Sequence, residues 1–159
     1  MTEKQDTENL EAALKGYKEE ILPVNKGSLT LQRDLYFMGM TQRGYEVEFD
    51  PKYEEGCSPT ETLLLSLAGC IAIDLVSMLR KMRCDVAACE IDVEGARNLE
   101  PPQYYKSMSM MIHISGDGIT PKKIDRAISL SRDKYCSVYH SLRKDMELNI
   151  EYEINAGAE

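Results

Sequence analysis

The segment from Ser58 to Lys81, SPTETLLLSLAGCIAIDLVSMLRK, constrains the fold more than any other. Its spacing predicts one helix about six turns long. Ser58 before Pro59, with Glu61 three residues on, forms a capping box with proline at the first helical position, so the helix start is written into the sequence. The helix is apolar on nearly every side, and such a helix belongs inside a protein. Within it Cys70 follows Gly69, which leaves open space beside the thiol. Asp74 lies four residues on, on the same helical face. An unpaired carboxylate in apolar surroundings is costly, so that face should receive a cation or a hydrogen-bond donor. A lone thiol in such a place is usually a small hydrophobe; the neighbouring acid makes it a place for chemistry.

The 159 residues, 43% of them hydrophobic, suffice for one domain with a proper core. A net charge of -8 argues against nucleic-acid or anionic-membrane binding, which depends on clustered Lys and Arg. No cationic start followed by an apolar signal stretch is seen at Met1, so a cytoplasmic location is expected. Leu63 to Leu79 is interrupted by Ser66, Asp74 and Ser77 and ends in Arg80-Lys81, which favours a core helix over a membrane span. Five cysteines, an odd number, do not suit a disulfide framework and leave metal, redox or packing roles.

Residues 1–27 are acidic and Lys-rich, with Leu10, Ala13, Leu14, Tyr17 and Ile21 at helical spacing, and read as an N-terminal helical extension ending at Pro23 and Gly27. Residues 28–156 form the domain proper. Leu29, Leu31, Leu35 and Phe37 share one strand face, and Tyr45, Val47 and Phe49 follow with the same period, Gly39 and Gly44 suiting the hairpin turn between them. After the long helix, Cys89, Ile91 and Val93 alternate with acids. Tyr104 to Ser115 then places Met108, Met110, Ile112 and Ile114 on one face, and these two strands should pair antiparallel. Thr120-Pro121 starts a second helix that breaks near Cys136, and Leu148 to Ile154 forms a last strand. The order β-β-α-β-β-α-α-β describes an α+β domain of antiparallel sheets with two central helices.

Arg33 lies on the apolar side of its strand in the period-two reading, aimed at the core, where a guanidinium would favour a nearby thiolate. A bulge at Arg33-Asp34 would instead turn it to solvent. Glu61 is explained as the capping-box acid; a second role is to fix an arginine near Cys70. Nine residues span about 900°, half a turn out of phase, so the second role needs a bent helix start or an arginine that reaches around. Cys136 lies near a helix junction. Cys84 and Cys89 fall on opposite strand faces with no following pair at zinc-site spacing; Cys57 sits in a loop, and His113 and His140 read as surface residues. No phosphate loop, nucleophile elbow or HExxH helix is present, and no cofactor or metal is expected.

The run Ser-Pro-Thr-Glu-Thr-Leu-Leu-Leu, the later Ala-Gly-Cys70-Ile-Ala-Ile-Asp-Leu-Val-Ser-Met-Leu-Arg-Lys, and the Tyr-Cys136-Ser-Val motif resemble the OsmC/Ohr family of osmotically induced and organic hydroperoxide resistance proteins. The resemblance runs from about Ser28 to Ile154 and is nearest to the OsmC-like branch. It implies an OsmC-like fold in an intertwined homodimer, with sheets wrapped around buried central helices and the sites at the subunit interface. It also implies a thiol peroxidase: Cys70 attacks an organic hydroperoxide and becomes a sulfenic acid, Cys136 resolves it to a disulfide, and a dithiol such as a lipoyl group reduces that disulfide. Arg33 matches the family's arginine, which stabilises the thiolate, with Glu61 as its carboxylate. The competing reading is a non-enzymatic binding protein whose dimer cleft, lined by Leu, Met and Tyr, holds an apolar ligand while the thiols stay idle.

Overall fold

Two three-stranded sheets frame the computed structural model, which describes residues 22–155 in two compact units, 22–63 and 64–155. The expected N-terminal helix, built on Leu10, Ala13, Leu14, Tyr17 and Ile21, lies outside the described residues.

In the first unit, β1 (Gly27–Arg33), β2 (Tyr36–Thr41) and β3 (Glu46–Phe49) pair antiparallel in that order. The sequence pattern runs Leu29 to Phe37 as one strand; the chain instead turns back at Asp34, whose φ is +47°, and Leu35 is exposed in that turn. Hydrophobic alternation carries no mark of a two-residue reversal, which explains the merged strand. Gly44, with φ of +84°, makes the β2–β3 turn, whereas Gly39 lies inside β2 opposite both Leu29 and Val47. After β3, the Asp50 carboxylate accepts the backbone N–H groups of Lys52, Glu54 and Glu55 and so folds the loop that leads to the helix. Those N–H bonds hold its pKa below the usual carboxylate value.

The long helix, α1 (Pro59–Lys81), begins as its sequence requires. Ser58 Oγ accepts the Glu61 N–H at 3.2 Å, and Glu61 returns a carboxylate oxygen to the Ser58 N–H at 2.8 Å. In the second unit, β4 (Asp85–Arg97) pairs antiparallel with β5 (Tyr105–Asp117), and β6 (Glu147–Asn155) adds to β5 in parallel, making this sheet mixed. Met108, Met110, Ile112 and Ile114 all point from β5 into the core, as the alternation predicts. Leu67 and Ile71 of α1 join Met108 and Met110 in one buried cluster, and Leu75, Met78 and Leu79 further along the helix are fully buried too. Burying side chains of this kind contributes about 1.5–3 kcal/mol each. The opposite side of α1 is bare in the chain: Leu65 is 60% and Ile73 64% exposed. By length and composition α1 would also pass for a membrane span, yet its inner stripe is committed to its own sheet.

The capped helix α2 (Pro121–Leu130), with Thr120 as N-cap, runs into a π-helical turn at Ser131–Tyr135 and then a short α3 (Ser137–Ser141). This is the break expected near Cys136. Between β4 and β5, a bulge at Val86–Ala88 brings the backbone of Asp85 against Gly116, where φ is +149°. A Cβ at Gly116 would sit 1.9 Å from the Asp85 carbonyl oxygen. Gly116→Ala is therefore expected to destabilise the chain by roughly 2–4 kcal/mol, read as a melting temperature lower by about 10 °C in a thermal scan.

Candidate thiol site

Asp74 is fully buried on α1, one turn after Cys70. Its partner is Ser131, also fully buried, whose hydroxyl donates to Asp74 Oδ2 at 2.7 Å. The donor expected for this face is thus a serine at the start of the π-helical turn. That turn also places Cys136. Its N–H donates to the Ser131 carbonyl at 2.7 Å, five residues back, and its own backbone then leaves helical geometry at φ −74°, ψ 95°. Cys136 becomes the N-cap of α3, accepting the Tyr139 N–H on Sγ at 3.4 Å.

The two anchors bring three chemically active atoms together. Cys70 Sγ, Cys136 Sγ and an Asp74 carboxylate oxygen all lie within 4.8 Å of one another. Cys70 is half-buried and Cys136 fully buried, and neither is in a disulfide. Burial, aided by hydrogen bonding with Cys70 and by the negative charges of Cys70 and Asp74, pushes the Cys136 thiol up to about 12, against the smaller opposing pull of the Tyr139 N–H. Cys136 is thus held as a thiol beneath a more accessible Cys70. A Cβ on Gly69 would meet nothing within 4 Å, so the surface beside Cys70 is open in the chain, in keeping with the glycine there.

In β1 the register shifts between Leu31 and Arg33, and the Arg33 guanidinium, 56% exposed in the chain, pairs with Glu55 and lies over the Tyr36 ring. Glu61 serves as the helix cap, accepting the Ser58 N–H and hydroxyl. Cys84 is buried against the Gly118 carbonyl and Lys123 Nζ, and Cys57 contacts Thr62. His113 bridges Asp92 at 3.2 Å and Glu153 at 3.4 Å, more company than a plain surface histidine. Sequence reasoning missed Ser131 and Glu55. Only the need of Asp74 and of Arg33 for a partner pointed to them.

The family model described as OsmC-like protein matches residues 52–151. Protein YhfA of Escherichia coli K12 is 33% identical over 123 residues, covering 77% of this chain and 92% of YhfA. Among solved structures, a hypothetical protein from Aquifex aeolicus VF5 is 28% identical with a TM-score of 0.78, covering 86% of this chain and 100% of that one. An organic hydroperoxide resistance protein OsmC from Legionella pneumophila, 11% identical, shares the fold with a TM-score of 0.61 over 84% of this chain and 99% of its own.

The Ser131 hydroxyl bonds an acid that water does not reach. Ser131→Ala is expected to cost about 1.5–3 kcal/mol, the usual worth of a hydrogen bond to a charged group, measured as a lower urea midpoint at an unchanged slope.

Proposed function

Because this chain belongs to the OsmC-like protein family, we propose that it acts as a cytoplasmic, thiol-dependent peroxidase of organic hydroperoxides, with Cys70 as nucleophile and Cys136 as resolving thiol. The observation that supports this reading is the pairing of a half-buried Cys70 with a buried Cys136 within 4.8 Å. The greater exposure of Cys70 supports giving it the first step, since a peroxide from solvent meets it before Cys136. The Cys70 thiolate attacks the terminal peroxide oxygen, the O–O bond breaks, and the alkoxide leaves as an alcohol after taking a proton. Cys70 is then a sulfenic acid. The Cys136 sulfur attacks the Cys70 sulfur, and the displaced hydroxide takes the Cys136 proton and leaves as water. A disulfide needs sulfurs about 2.05 Å apart, a short closing movement from their present separation. An external dithiol of the lipoyl kind supplies two electrons and two protons to restore both thiols.

The homodimer belongs to the same proposal and is supported by the bare stripe of Leu65 and Ile73 on α1, an apolar surface that a second copy would cover. The roles that the family resemblance gives Arg33 and Glu61, a guanidinium for the thiolate and its carboxylate, rest on their sequence positions.

One equivalent of cumene hydroperoxide added to the reduced protein should lower the titratable thiols in denaturant from five to three. Cys136→Ser should accumulate a trappable sulfenic acid on Cys70, and Cys70→Ser should leave every thiol intact. Retention of all five thiols in the unaltered chain would refute the peroxidase and favour the ligand-binding reading. Arg33→Ala tests the role that the resemblance gives this residue: slower Cys70 oxidation in a stopped-flow assay of the first step supports it, and an unchanged rate removes Arg33 from the site.

A further inference from the structure

The same cluster has a second capacity that needs no peroxide. Two sulfurs and a carboxylate oxygen within 4.8 Å of one another form the donor set of a soft-metal site. Cys70 and Asp74 present their donors from successive turns of α1, while Cys136 is held opposite them by the π-helical turn and by the Tyr139 N–H. We propose that the reduced Cys70–Asp74–Cys136 cluster binds a thiophilic divalent cation of the zinc class, and that joining the two sulfurs as a disulfide abolishes the site.

Tetrahedral zinc with Zn–S near 2.3 Å and Zn–O near 2.1 Å sets its ligand atoms roughly 3.5–3.8 Å apart. Donors already within 4.8 Å need to close by roughly 1.3 Å at most. Asp74 is oriented for this task by a partner outside the donor set, because the Ser131 hydroxyl fixes Oδ2 and with it the carboxylate plane. Such partners characterise protein metal ligands. Charge favours the same occupant. Binding releases the Cys136 proton, and the dication then offsets two of the three charges of the two thiolates and the carboxylate. Three protein ligands leave a fourth position, and the half-buried Cys70 with open space over Gly69 gives an entry path from solvent. Sulfur donors select zinc or cadmium over calcium and magnesium, which take oxygen ligands.

The test uses the full reduced chain, stripped of metal, titrated with Zn²⁺ against a chromophoric chelator. One ion per chain is expected. Cys70→Ser and Cys136→Ser should each weaken binding by at least ~100-fold, Asp74→Asn by at least ~10-fold and Ser131→Ala by about 10-fold, with circular dichroism checking that each variant is folded. Cobalt in place of zinc should show a thiolate-to-cobalt charge-transfer band that both cysteine variants lose. Protein oxidised with diamide to the Cys70–Cys136 disulfide should bind no ion. Binding that survives Cys136→Ser or oxidation, or that ignores Asp74→Asn in a folded variant, overturns the proposal, because the ion would then not be held by the three donors together. The titration contains no hydroperoxide, so its failure is distinct from failure of the peroxidase reading.

Discussion

A single buried carboxylate dictates how the second unit is put together. Asp74 interrupts a helix that would otherwise be a plain apolar rod, and its cost is met by the Ser131 hydroxyl. To deliver that hydroxyl, the chain after α2 must arrive at the middle of α1 with Ser131 facing inward. Cys136 comes five residues later, at the end of the turn that Ser131 opens. The thiol pair is therefore a by-product of satisfying the acid. Hydrophobic packing on β5 sets where α1 lies, and the Asp74–Ser131 bond sets how the later helices meet it.

Features fixed by local chemistry were legible in the sequence. The Ser58 capping box, the Thr120 cap, the inward face of β5 and the break near Cys136 each depend on residues within a few positions of one another. Features that depend on distant residues, or on backbone irregularity, were hidden. A period-two pattern assumes an unbroken strand, and the register shift beside Arg33 leaves no mark in it. The turn at Asp34 splits one expected strand into two for the same reason, and Gly39 is a strand residue rather than part of a turn. Ser131 leaves no periodic trace, being a serine in a helical run whose partner lies 57 positions away. Cys70 and Cys136 carry no sign of proximity in their spacing. Only the family resemblance joins them, and the fold brings them together.

The long helix has two characters on its two sides. Leu67, Ile71, Leu75 and Met78 are committed to the β4–β5–β6 sheet, while Leu65 and Ile73 face outward across an open glycine. The same segment thus holds an enclosed acid within a fraction of a turn of exposed aliphatic side chains. Cys70 sits between these two sides, half-buried, which gives its sulfur both a shielded neighbour in Cys136 and a route to solvent. A thiol on the fully buried stripe would be inert, and one on the bare stripe would lack a partner.

The π-helical turn at Ser131–Tyr135 amounts to a phase shift of one residue in the helical ladder. An α-helix advances about 100° per residue, so removing a residue from this turn would let regular i→i+4 bonding resume and rotate the downstream backbone by about that angle. Cys136 would swing away from Cys70 while Ser131, upstream of the slip, still met Asp74. Cys136 also belongs to the buried cluster of Leu67, Ile71, Met108 and Met110, so the one extra residue of the turn places a core side chain and a thiol at once.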